Sequence, residues 1–206
     1  MKIHLPASAQ VFSGSPNQAR AGGEVALLRP IEPADAEAIY AALRESLLEV
    51  SRWLPWCRAD YSLEEAARWA HSRPAAWAIG EAYDFAILEP KSGEIAGVCG
   101  LTAISREHHF ANLGYWVRTS RTGHGMAAFA ARRVARFGLE ELGLVRIEVV
   151  VAIGNLASQR AAEKAGAIRE GVLRNRSVVQ GRAADAVMFS FIASDFPDEM
   201  SALIAS

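Results

Sequence analysis

Cysteine is nearly missing from this chain: there are two in 206 residues, Cys57 and Cys99. They lie far apart and match no metal-ligating or redox spacing, which excludes a disulfide scaffold and a cysteine-held metal. Two reduced thiols in a cytoplasmic protein are expected instead. Long apolar runs are missing too. No stretch approaches the ~18 residues that cross a bilayer. The opening Met1-Lys-Ile-His-Leu-Pro-Ala-Ser has no apolar segment behind its lysine, so it does not read as a secretory leader. Charge of one sign is not in excess, with 22 Lys and Arg against 23 Asp and Glu. A general nucleic-acid binder carries a basic surplus, and a membrane-surface anchor carries a polybasic cluster; neither partner is expected. The string Gly-x-x-x-x-Gly-Lys-Ser/Thr is also absent, so a nucleotide P-loop is excluded.

What is present is enough apolar residue, 51%, to fill a core. The length suits one domain. Residues 1–23, rich in Ala, Ser, Gly, Gln, Asn and Pro without a period, read as a loose extension, and 24–206 as a single domain. Val25 to Arg29 reads as a strand. Ala34 to Leu48 reads as a helix with Ile39, Leu43 and Leu47 one turn apart. Pro55 breaks the segment that follows. Ser62 and Glu65 form a capping box opening a helix to about Ser72. Tyr83 to Leu88 and Glu94 to Thr102 form a hairpin around Pro90–Gly93. Ala111 to Val117 is a further strand, followed by a helix to about Leu142. The β-branched run from Arg146 to Val151 suits a strand buried on both faces. A helix over Asn155–Lys164 and strands over Ile168–Leu173 and Ala186–Phe191 complete the order. This predicts a mixed α/β sheet of about seven mostly antiparallel strands with helices on both faces.

The most informative segment is Gly114-Tyr-Trp-Val-Arg-Thr-Ser-Arg-Thr-Gly-His-Gly-Met-Ala127. It reads as strand, glycine turn, then helix. Gly123 and Gly125 allow close backbone approach. A helix N-terminus offers unpaired N–H groups and a positive dipole end, so the segment suits a phosphate-bearing ligand. Gly123-His-Gly125-Met-Ala-Ala128 fits the letters of a dinucleotide fingerprint. That fold wants an acidic residue ending the next strand, whereas Glu148 is followed by three valines and sits mid-strand.

Three motifs in order resemble another family. The turn Thr122-Gly-His-Gly125-Met-Ala127 is similar to the pattern Gln/Arg-x-x-Gly-x-Gly/Ala, with threonine in the first place. Asn155-Leu-Ala-Ser158 and Glu163-Lys-Ala-Gly166, leading to Glu170-Gly171, resemble a characteristic helix start, helix end and strand. Gly181, Asp185 and Met188-Phe-Ser-Phe close the match. From about Val25 to Phe191 the chain thereby resembles the GNAT-superfamily acetyltransferases, and more closely the RimJ/RimL type that acetylates protein N-termini. The resemblance implies an acetyl-CoA-dependent N-acetyltransferase in which an amine attacks the thioester directly, without a metal.

It also implies roles. Thr122 stands at the head of the turn, and the N–H groups of Gly123, His124, Gly125, Met126 and Ala127 would hold the pyrophosphate. The backbone of Trp116, Val117 and Arg118 would pair with the pantetheine arm. Asn155 would bind that arm, and it also suits a helix N-cap. Ser158 would sit near the sulfur and donate a proton to the leaving thiolate. The glutamate expected as base after the Glu-Gly strand falls at Ser177, which cannot serve; Glu107, Asp84 or a backbone-held water remain as substitutes. His108-His109 reads as a loop pair. Arg52-Trp53-Leu-Pro-Trp56 is either an acceptor-groove segment or a helix corner plugged by tryptophans. The acceptor is expected to be a protein N-terminus. Alternatives are a small amine (polyamine, amino acid or antibiotic) or a catalytically silent acyl-CoA-binding module. A monomer and a homodimer both suit the sequence.

Overall fold

Among the described residues, runs of β-branched and aromatic residues supply seven strands: β1 (Leu27–Pro30), β2 (Tyr83–Leu88), β3 (Ile95–Ser105), β4 (Phe110–Val117), β5 (Arg146–Ala152), β6 (Ile168–Val179) and β7 (Arg182–Phe191). Among the described residues five α-helices pack on them: α1 (Ala36–Glu45), α2 (Leu47–Ser51), α3 (Leu63–Ala78), α4 (Met126–Glu140) and α5 (Leu156–Ala165). The computed structural model describes residues 25–196. The expected extension over 1–23 lies outside the described residues. The strands form one sheet in the order β1-β2-β3-β4-β5-β7-β6. Every neighbouring pair is antiparallel except β4 and β5.

The sheet has two apolar faces because side chains alternate along each strand. On one face Ile39 and Leu43 of α1 and Ala70 of α3 pack with Ala86, Leu88 and Val98. On the other, Ala130, Val134 and Phe137 of α4 pack with Phe85, Leu101, Leu113 and Ile147. Phe137 sits among three rings, with centroids 5.7 Å from Trp77, 5.5 Å from Tyr83 and 5.4 Å from Phe85. Aromatic pairs at such separations add to the area they bury.

Several elements depart from the sequence expectation. The helix expected over Ala34–Leu48 is interrupted. Ser46, fully buried, donates its hydroxyl to the Ala42 carbonyl at 2.8 Å, and the chain turns there before α2. Such back-bonding competes with the helical ladder and bends the chain. The helix expected to stop near Ser72 continues to Ala78 through Pro74. Proline removes one backbone donor. Next to that gap, the Ser72 hydroxyl and Arg73 Nε both reach the Trp69 carbonyl, at 2.7 and 3.3 Å. β6 and β7 also run past the expected Leu173 and start before Ala186, because they continue to a tight turn at Gly181. β4 and α4 lie where the sequence puts them, within a residue or two.

Candidate active site

β4 and β5 pair only at Phe110↔Arg146, Ala111↔Ile147 and Asn112↔Glu148. Beyond Asn112 they part, while β4 stays paired to β3 as far as Gly97↔Val117. The parity of that pairing tells which groups face the opening. The Arg118 N–H donates to the Ala96 carbonyl opposite it at 2.8 Å. In an antiparallel ladder such bonded pairs alternate. Asn112, Gly114, Trp116 and Arg118 therefore spend their backbone groups on β3. Leu113, Tyr115 and Val117 turn theirs toward the opening. Of the three residues expected to present their backbone there, the structure puts Val117 at the opening and holds Trp116 and Arg118 against β3. Tyr115 joins Val117, and strand alternation was the signal that could have found it.

The glycine turn follows. Gly123 and Gly125 adopt φ of 81° and 83°, in the left-handed region that L side chains rarely occupy. α4 starts at Met126, and the first N–H groups of a helix have no partner within it. No described acceptor takes the N–H groups of Gly123, His124 or Gly125. A Cβ at Gly123 would meet nothing within 4 Å, and one at Gly125 would meet only Val25 Cγ1 at 3.9 Å. The outer face of the turn is thus a bare row of donors at a positive dipole end, which fits a diphosphate. Thr122 spends its hydroxyl and its N–H on the Thr119 carbonyl, at 2.9 and 3.2 Å.

The turn is anchored by the helix break at Ser46. The Thr119 N–H donates to Ser46 Oγ at 2.9 Å, and the Ser120 N–H donates to Glu45 at 2.9 Å. Arg118 Nε donates to the same carboxylate at 2.9 Å. The Arg118 guanidinium, with Ser120 beside it, holds the Glu45 carboxyl at about 2. Arg121 reaches Glu89 at 3.2 Å. The end of α1 therefore fixes the approach of the chain to the turn.

Across the opening lies the start of α5. Asn155 is its N-cap, and its Oδ1 accepts the Ser158 N–H at 3.1 Å. The Tyr115 hydroxyl donates to the Ser158 carbonyl at 2.8 Å and accepts from Ser158 Oγ at 3.1 Å. Burial pushes the Tyr115 phenol up to about 12, so it keeps its proton at neutral pH. Ser158 is thus half-buried and bonded to β4 rather than a solvated surface serine.

On the opposite face of the sheet a cleft of about 620 Å³ reaches β4 at Gly114, Tyr115 and Trp116. Its apolar walls include Ile39, Leu43, Leu54, Trp56 and Trp69; Arg58, Glu65, Arg68 and Asp84 supply its charges. Trp56 and Tyr61 meet edge to face at 5.9 Å. The tryptophan segment serves two places. Leu54 and Trp56 line the cleft, while Trp53 Cη2 lies 3.3 Å from where a Gly154 Cβ would stand. Glu107, His108 and His109 sit in the exposed turn between β3 and β4, outside the cleft lining. Ser177 lies in β6 opposite Ala184, past an irregularity in the pairing, and does not line the cleft either.

The acetyltransferase (GNAT) domain family matches residues 26–168. An uncharacterized N-acetyltransferase of Bacillus subtilis, YoaA, is 30% identical over 166 residues, which span 81% of this chain and 92% of that protein. Mycobacterium smegmatis RimJ in complex with CoA-disulfide superposes with a TM-score of 0.74 at 24% identity, covering 87% of this chain and 88% of that one. Spermidine N-acetyltransferase from Vibrio cholerae, with CoA and spermine, gives a TM-score of 0.68 at 20% identity, covering 83% and 97%. At these identities the two solved structures speak for the fold. The chain belongs to the GNAT acetyltransferase family and is an N-acetyltransferase that uses acetyl-CoA.

Proposed function

We propose that this enzyme acetylates the α-amino group of a protein N-terminus, as a cytoplasmic protein of the RimJ/RimL-like type. The observation that carries the proposal is the relation of the two openings. The gap between β4 and β5 leads to the bare N–H row at Gly123–Ala127, and the same stretch of β4 floors the cleft on the other face of the sheet. Acetyl-CoA supplies the acetyl group as a thioester, and transfer to an amine releases the thiol. The backbone groups of Val117 and Tyr115 orient the arm along the gap, and an N–H there stabilises charge developing on the carbonyl oxygen. Asn155 holds the α5 start beside it. Tyr115 and Ser158 form the proton donor for the departing sulfur, since both hydroxyls are protonated at neutral pH and already bonded to each other.

The cleft's charges favour a peptide over a polyamine. Arg58 and Arg68 stand against Glu65 and Asp84, so the lining is balanced. A polycation needs an acidic surplus to offset its desolvation. An α-amine, with pKa ~7.7–8.0, reaches the cleft partly neutral at pH 7, and the aromatic walls suit the side chains that follow it. Steady-state assays comparing an N-terminal peptide with the same peptide N-blocked and with spermidine test this. Turnover of the free peptide alone is expected. Turnover of spermidine alone would overturn it in favour of a small amine.

A further inference from the structure

The notable group in the cleft is Asp84. It lies on β2, directly opposite Gly100 of β3, which lies opposite Gly114 of β4. Residues opposite one another share a face, so the three form one row across the cleft floor. The carboxylate leans along that row, because a Cβ at Gly100 would fall 2.3 Å from Asp84 Oδ1. Only glycine leaves it that room. A Cβ at Gly114 would meet nothing within 4 Å. Beyond the carboxylate the floor is therefore bare up to the strand that lines the gap. Adjacent strands are about 4.8 Å apart, so Asp84 Oδ1, lying over Gly100, is roughly one strand from Gly114.

Asp84 is only 7% exposed, yet just one of its oxygens is taken. Oδ2 accepts from Arg73 of α3 at 3.0 Å. Oδ1 has no donor among the described residues, and none of their buried side-chain polar atoms lacks a partner, so Oδ1 opens to the cleft. The other charged groups there are accounted for: Arg58 bonds Glu65 at 2.8 Å, and Arg68 bonds Glu64 at 2.5 Å. Cys99, the titratable neighbour on β3, is fully buried and its thiol is pushed up, so it stays neutral.

We propose that Asp84 is the residue that binds the incoming ammonium group and takes its proton before attack. The proposal rests on the cleft being the acceptor site. The ammonium docks over Gly114, Oδ1 accepts one N–H proton directly or through one water, and the freed lone pair attacks the thioester carbon as the carbon–sulfur bond breaks. As the adduct collapses its nitrogen gives up its second proton to water, the sulfur takes a proton from the Tyr115–Ser158 pair, and solvent then reprotonates that pair while Asp84 passes its own proton to solvent. Burial raises the Asp84 carboxyl while Arg73 pulls it down. A base moved toward the operating pH exchanges protons more effectively.

The test uses the wild-type chain, Asp84→Asn and Arg73→Gln, with acetyl-CoA and whichever amine of a peptide and small-amine panel the wild type accepts. Asp84→Asn is expected to lower kcat/KM for the amine by about 100-fold at pH 7. The deficit should shrink as pH rises and the amine deprotonates in solution. Acetyl-CoA affinity should be unchanged and Tm no lower, since Arg73 keeps its Trp69 and Ser72 contacts. Arg73→Gln should move the acid limb of the profile to higher pH. A wild-type rate and profile in Asp84→Asn would overturn the proposal. So would a fall in Tm and acetyl-CoA affinity that accounts for the whole loss. Wild-type acceptance of small amines alone would sink the N-terminal reading instead, with the Asp84 comparison made on that amine.

Discussion

At the scale of single residues, Gly125, Tyr115 and Ser158 carry the proposed chemistry. Gly125→Glu places a charged side chain at φ 83° beside the row of free N–H groups. Acetyl-CoA binding, read by calorimetry, should be lost, with the far-UV circular dichroism retained. Unchanged affinity would remove the turn from the cofactor site. Tyr115→Phe removes a donor to the Ser158 carbonyl and the acceptor of its hydroxyl. Single-turnover rates should fall by about 100-fold, the scale of lost general-acid help, while acetyl-CoA affinity holds. Ser158→Ala should do the same more weakly, because the phenol remains. The sequence motif made Ser158 legible. Tyr115 was not, because the role proposed for it follows from which way a strand residue points, and that depends on a register fixed by β3.

At the scale of elements, the decisive feature is the break between α1 and α2. Helical periodicity runs straight through Ser46, so the sequence suggested one helix. The interruption comes from a side chain that bonds backward to Ala42 and forward to Thr119, contacts 73 positions apart in the second case. No local pattern encodes that. Glu45 beside it carries a testable pH dependence. Its carboxyl is depressed from 4.5 to about 2, so its hold on Arg118 and Ser120 is complete above pH 4.5 and is lost as pH falls toward 2. Glu45→Gln should weaken acetyl-CoA binding about three- to fivefold at neutral pH, the range of a partly exposed pair. It should also flatten the fall in urea midpoint that the wild type shows between pH 4.5 and pH 2. The α5 start was legible from its Asn-x-x-Ser spacing, because cap chemistry is local; Asn155→Ala should cost about 1 kcal/mol in a denaturant titration.

At the scale of the molecule, the fold was legible because alternation and helical period set most elements, and the glycine turn was legible as the end proposed to hold the cofactor. The end proposed for the acceptor was less so. Its floor is a row of three residues, Asp84, Gly100 and Gly114, drawn from three strands and brought level only by the sheet register. The whole rests on the aromatic group around Phe137, which couples α4 to both α3 and the sheet. Phe137→Ala should cost about 3–5 kcal/mol, seen as a fall in the urea midpoint. The measurement that bears most directly on the central claim is mass spectrometry of a peptide library with free N-termini, incubated with acetyl-CoA and the enzyme alongside spermidine and free amino acids. A single added acetyl on the peptide α-amine is expected, with lysine side chains and spermidine unmodified. Acetylated spermidine or amino acids with untouched peptides would contradict it.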